Sequence, residues 1–237
     1  MFRRDVRHGL SLRAFDKFLT APLLGIDEVG TGAIAGPIYA AGVVLPRDTH
    51  PQVLDALEKL GLKDSKRMTA WARDQVFALL TSEPSVRYWV YSRTPEEIET
   101  HGHHESIGGI FNDIITNFRF ENSSGDILVD GEINSHVAYT VQWRKGADDS
   151  SLSVAAASVV AKVSRDRFME KLQQDYPEFS FGNHKGYLTK THQQEMDKYG
   201  FCAAHRKNTN PVRQVMDRCT SPPAVSEIAS RSDSSSD

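Results

Sequence analysis

Ser153 to Gln174 reads as one long helix, and its first half, Val154 to Val163, is small and apolar almost all round. A helix without a polar face cannot sit at the surface, so it must be buried. Its alanine, valine and serine side chains allow a close approach, and the natural partner for such a helix is a sheet. The strands that would supply that sheet are legible upstream. Leu23-Leu24-Gly25-Ile26 and Ile38 to Leu45 are two apolar runs joined through a glycine-rich stretch read as a tight turn, the second closed by Pro46. Val86 to Tyr91 alternates and is rich in β-forming residues. Ile127-Leu128-Val129 is a short continuous strand, and Val137 to Trp143 is a further candidate. Thr69 caps a predicted helix carrying Val76, Phe77, Leu79 and Leu80. Thr94-Pro95 opens a helical region, and Ile107, Ile110, Phe111, Ile114 and Ile115 then recur at helical spacing; His101, His103 and His104 resemble a metal cluster but lack supporting ligands, and are expected in a loop before that isoleucine-bearing helix. Strands first, then strands alternating with helices, predict an α/β fold with a mixed sheet and helices on its faces.

The chain has 237 residues, enough for one large domain with a substantial core. Residues 1–22 read as an adapter segment or short helix, and residues 213–237, serine-rich from Ser221, as a disordered tail. No run approaches the roughly 18 to 20 apolar residues that cross a membrane. Four arginines between Met1 and Arg13 have no apolar stretch and small-residue cleavage site behind them, so a secretory signal is not expected. Cys202 and Cys219 lack the spacing of a disulfide scaffold or a zinc–cysteine site, so the protein is expected in the cytoplasm. With 28 Lys+Arg against 31 Asp+Glu the net charge is −3, and bulk charge gives no attraction to a polyanion. A polyanionic partner would have to be met by a local basic patch, or through cations held by the protein's own carboxylates.

Asp27-Glu28 stands after an apolar run and before Val29-Gly30-Thr31-Gly32. Neighbouring strand residues point to opposite faces, so either the strand ends at the pair or one acid is buried and needs a partner. Asp130 closes the Ile127-Leu128-Val129 strand, at the rim where open α/β sheets place their ligands. Asp148 falls just before the buried helix, where a lone acid could equally complement the helix dipole. Carboxylates from three element ends, with no histidine or cysteine spacing beside them, suit hard divalent cations rather than zinc. Two such cations about 3.5 to 4 Å apart serve phosphoryl chemistry.

Asp27-Glu28-Val29-Gly30-Thr31-Gly32 with Ala35-Gly36-Pro37 resembles the signature segment of type 2 ribonuclease H, the bacterial RNase HII family. Lys63-Asp64-Ser65-Lys66, Val129-Asp130-Gly131, Ser153 to Ser158 with Ala161-Lys162-Val163 and Arg165-Asp166, and His184-Lys185-Gly186-Tyr187 are similar to its later blocks, in order. The resemblance spans residues 23–212. It implies an RNase H-like mixed five-stranded sheet flanked by helices, with a helical C-terminal extension. It also implies a monomeric, Mg²⁺- or Mn²⁺-dependent endonuclease acting on RNA–DNA hybrids and on duplex DNA carrying a single ribonucleotide. Cleavage on the 5′ side of that ribonucleotide would leave 3′-hydroxyl and 5′-phosphate ends. By position, the family's metal-binding acids fall on Asp27, Glu28, Asp130 and Asp148; Asp148 rather than Asp149 stands five residues before Ser153. Gly30, Thr31, Gly32 and Tyr187 occupy the ribonucleotide-recognition positions, with Thr31 in place of the family's usual arginine. Lys66, Lys162 and Lys185 are candidate phosphate contacts, whereas Arg165-Asp166 reads as a helix-surface or structural ion pair. The alternatives are a binding protein of this fold that has lost turnover, and another RNase H-like nuclease. The tail could dock a protein partner, for which the sequence offers no support.

Overall fold

In the computed structural model, which describes residues 12–45, 51–63, 65–131 and 137–220, the chain begins with a short helix, α1 (Leu12–Asp16). An antiparallel pair follows, β1 (Leu23–Val29) and β2 (Ile38–Val44). Next come α2 (Pro51–Lys59), α3 (Ala70–Ser82) and β3 (Arg87–Arg93). Two helices, α4 (Pro95–His101) and α5 (His103–Glu121), lead to β4 (Asp126–Asp130) and β5 (Gln142–Arg144). The long helix α6 (Leu152–Asp175) precedes α7 (Phe181–His184), α8 (Lys190–Tyr199) and α9 (Asn210–Thr220). Of the predicted tail, residues 213–220 belong to α9 and are helical, and the rest, from Ser221, lies outside the described residues.

The strands form one mixed sheet in the order β3-β2-β1-β4-β5, antiparallel on the β3-β2-β1 side and parallel from β1 through β5. Helix α6 covers one face, as its composition predicts: every residue from Leu152 to Ala161 is buried. The approach is close enough that a side chain on Gly25 would collide with the backbone of Ser153 and Val154. With α2 and α3, α6 closes a core that includes Val43, Leu57, Val76, Leu80 and Val159. Helix α5 covers the other face through Ile110, Phe111, Ile114, Ile115 and Phe118. A third cluster ties the end of α6 to the C-terminal helices through Met169, Phe181, Met196 and Val212.

Thr69 caps α3 by accepting the Ala72 N–H, and Thr94 and Glu97 form a reciprocal capping box at α4. Strand β1 takes the second of its two open alternatives and continues through both acids to Val29. Four details differ from the sequence reading. Residues 30–37 form a long connection rather than a tight turn. Of the Val137 to Trp143 run only Gln142 and Trp143 are strand; its earlier apolar residues pack on the α5 layer, and the Ala138 N–H donates to the Asn112 side chain instead of a strand. His101, His103 and His104 are helical, because Gly102 at φ 86° lets α4 end and α5 begin on one residue. Helix α2 was not read from the sequence.

Candidate metal centre and substrate cradle

The alternation of β1 sends Asp27 toward α6 and Glu28 to the opposite side. Asp27 is 7% exposed, the buried acid anticipated for an uninterrupted strand. Pairing of β1 with β4 sets Ile26 beside Val129 and so brings Asp130 next to Asp27. Asp148 arrives from a 3-10 turn, Ala147–Asp149, entered through Gly146 in the left-handed region. Asp130 Oδ1 accepts the Ala147 N–H at 2.8 Å, which ties this turn to the strand end. The result is a group in which one oxygen each from Asp27, Asp130 and Asp148 lies within 4.8 Å of the others. Asp149 instead pairs with Arg67 at 2.7 Å and is exposed. Glu28 is not one of this group, although Asp130 and Asp148 both act on its charge.

The electrostatics are those of a site short of positive charge. Burial, then Glu28, then Asp130 and Asp148, raise the Asp27 carboxyl well above its usual range, against a hydrogen bond from Ser158 that lowers it. Glu28 is pushed up to about 7, first by burial and then by Asp130, with Lys66 acting in the opposite direction. Glu28 Oε2 is buried and has no hydrogen-bond partner. Buried acids that crowd one another in this way are stabilised by a cation, and an all-oxygen donor set suits a hard divalent ion. The residues present therefore fit a hard divalent cation.

Beyond Val29 the chain enters the glycine segment, which two buried arginines hold from beneath. Arg165 is fully buried. It donates to the carbonyls of Pro37 at 2.9 Å, Lys185 at 2.9 Å and Ala35 at 3.2 Å. Its guanidinium also lies over the Tyr187 ring, 5.3 Å from the centroid. Gly30 sits directly against it with φ at 87°, so a side chain there would be both strained and in collision. Arg206, 1% exposed, donates to Gly36 O at 2.9 Å and Thr31 O at 3.3 Å. Burial and the nearby Arg165 charge bring its guanidinium down to about 9. Backbone bonds complete the cradle: Ile34 N–H and Ala35 N–H both donate to Gly186 O, and Gly36 N–H to Ala204 O.

The family model described as Ribonuclease HII matches residues 24–214. The chain is 35% identical over 210 residues to ribonuclease HII of Anaplasma marginale, covering 88% of this chain and 82% of that one. It is 37% identical over 191 residues to ribonuclease HII of Chlamydia trachomatis serovar D, covering 80% and 82% of the two chains. The chain belongs to the ribonuclease HII family. Among solved structures, ribonuclease H2 of Pyrococcus horikoshii superposes with a TM-score of 0.61 at 27% identity, covering 83% of this chain and 97% of that one. Membership makes the protein an endoribonuclease of the RNase H type that acts on nucleic acid with a divalent metal.

Seen as a ribonuclease HII, the chain differs from its sequence reading chiefly in the pairing of its basic residues. Arg165 and Asp166 do not pair. Asp166 binds Lys162 at 2.8 Å, one turn back on α6, while Arg165 turns inward. Lys185 pairs with Glu170 at 2.7 Å. Lys66 is exposed on a 3-10 turn, Ser65–Arg67, close enough to Glu28 to lower its pKa. Thr31 is half-buried and Gly32 exposed. Two contributors were missed. Ser158 bonds Asp27 and lies in hydroxyl–hydroxyl hydrogen-bond contact with Ser65 at 2.9 Å, and Arg165 lies seven residues further on. That spacing is two helical turns, so both share one face; polar residues at that interval in an apolar helix were the available signal. Among the described residues no helix is long and apolar enough to cross a membrane.

Proposed function

We propose that this protein hydrolyses the RNA strand of RNA–DNA hybrids, and duplex DNA 5′ to a single embedded ribonucleotide, using Mg²⁺ or Mn²⁺ held by Asp27, Glu28, Asp130 and Asp148. The observation that carries the reading is the convergence of carboxylate oxygens from β1, β4 and the 147–149 turn. When bound there, the cations supply water activation and stabilisation of the leaving 3′ oxygen. Asp27 and Asp130 are the central ligands, and Asp148 and Glu28 complete the shell from either side. The main chain of Gly30-Thr31-Gly32 offers its N–H and C=O groups to a 2′-hydroxyl, the one group that distinguishes RNA from DNA at a single nucleotide. Those groups belong to the backbone, so threonine at position 31 is compatible with ribose recognition, and Arg206 holds the Thr31 carbonyl. Tyr187, seated on Arg165, presents an aromatic surface for the sugar of the following deoxynucleotide. Lys66, Lys162 and Lys185 serve the phosphates, the latter two exchanging acid partners for the substrate. Free Cys202 and Cys219 accord with a cytoplasmic location.

Incubation of a DNA duplex carrying one ribonucleotide with the protein in Mg²⁺, and separately in Mn²⁺, tests the assignment. A single cut 5′ to the ribonucleotide with a 3′-hydroxyl product is expected. Binding without cleavage in both metals would leave only a nucleic-acid-binding protein of this fold.

A further inference from the structure

The segment before β1 lies outside the stretch that the family model matches, which begins at residue 24. It is nonetheless built into the metal centre's support. Phe15 and Leu19 are buried in a separate small cluster with Leu23, Leu128, Val154 and Ala147. Ala147 is the first residue of the turn that carries Asp148, and its N–H is the one bound by Asp130. Arg144, paired with Asp130 in the β4–β5 register, stacks its guanidinium on the Phe15 ring at 4.8 Å from the centroid. Asp16 Oδ2 accepts the Ser153 N–H at 3.0 Å and the Ser153 hydroxyl at 3.1 Å. Those groups belong to the first turn of α6, whose backbone donors have no partner inside the helix. Thr20 and Asp126 exchange two further bonds, joining the segment to the start of β4.

A single 3-10 turn entered through a left-handed glycine has little stiffness of its own. This one is gripped from within by Asp130 and from outside by Phe15, and the helix that follows it is fixed at its start by Asp16. We infer that Phe15 and Asp16 are positioning residues of the metal centre: the α1 segment holds Asp148 at coordination distance from Asp27 and Asp130. The inference rests on the proposed role of Asp148 as a ligand. Groups that orient a ligand without touching the metal are typically worth about ten-fold or more in metal affinity.

The test is Mn²⁺ binding to the nuclease without substrate, followed by calorimetry, together with the Mn²⁺ concentration that half-saturates cleavage. Phe15→Ala is expected to weaken both by roughly ten-fold, and Phe15→Leu, which keeps a large apolar side chain but not the stacked ring, by less. In an Asp148→Asn background, Phe15→Ala should cost no further metal affinity, because it acts through Asp148. An equal loss in both backgrounds would reduce Phe15 to a general stabiliser and overturn the inference, as would unchanged Mn²⁺ affinity in a folded Phe15→Ala or Phe15→Leu protein. Unchanged affinity in Asp148→Asn alone would instead remove Asp148 from the ligand set, and this inference with it.

Discussion

Arg165 is the residue whose removal has the most calculable consequence. It ends three hydrogen bonds to main-chain carbonyls on two segments, residues 35–37 and Lys185, which the glycine cradle brings together. A hydrogen bond to a charged donor contributes about 1.5 kcal/mol at the low end, so three sum to about 4.5 kcal/mol. The bond to the Ala35 carbonyl, the longest at 3.2 Å, is weaker than this by about 1 kcal/mol. Arg165→Ala should therefore destabilise by about 3 to 4 kcal/mol, a large share of the roughly 5 to 15 kcal/mol typical of a folded protein. For a chain of this size that corresponds to a melting point lower by roughly 10 °C. Arg165→Lys is the more informative variant, because an ammonium can reach at most one or two of the three carbonyls while keeping the charge. It should lose about half as much stability. Well below its melting point it should also cleave the single-ribonucleotide duplex at least ten-fold more slowly in kcat/KM, since Tyr187 and the glycine segment both lose their seat. Thermal melts and steady-state cleavage of the same preparation measure both. A loss under 2 °C with cleavage within three-fold of the parent would show that the guanidinium does not hold the segment.

Asp27→Asn and Asp130→Asn should each abolish cleavage while duplex binding persists in a gel-shift assay. Because burial and neighbouring acids raise the Asp27 carboxyl, Asp27→Asn should also raise the melting point in EDTA by a few degrees; a lower one would mean the carboxylate is not under repulsion. Tyr187→Ala should reduce cleavage of the single-ribonucleotide duplex more than cleavage of a long hybrid, and equal losses would remove the ring from junction recognition. His192 and His205, joined Nε2 to Nε2 at 3.0 Å, are both lowered to about 4, chiefly by burial. The unfolded chain protonates them near the usual 6.5 or so. Their contribution is therefore complete above that pH and is lost as the pH falls toward 4. In urea titrations across this range, the stability difference between the parent and His192→Asn/His205→Gln should shrink as the pH falls; a constant difference would contradict the neutral pair.

How much the sequence disclosed follows from what is local. The buried helix, the capped helices and the apolar strands were readable because periodicity and capping are short-range properties. Asp27, Glu28 and Asp130 were readable because acids at the ends of apolar runs conflict with burial. Choosing Asp148 over Asp149 needed the family's spacing, and in the fold the two acids differ by direction: one joins the trio and its neighbour reaches Arg67. The inward turn of Arg165 was not readable. Its three acceptors lie 20 to 130 residues away in sequence, and an arginine followed by an aspartate on a helix looks like a surface pair. The α1 clamp was hidden for the same reason, since Phe15 and Asp16 find their partners in Ala147 and Ser153 only once the sheet has formed.

Anomalous diffraction from crystals grown with Mn²⁺ addresses the chemistry most directly. Peaks are expected between the carboxylates of Asp27, Asp130 and Asp148, with one shared by Glu28, and they should vanish in Asp130→Asn. Manganese bound elsewhere with this pocket vacant, in a protein that still cuts at the ribonucleotide, would contradict the account.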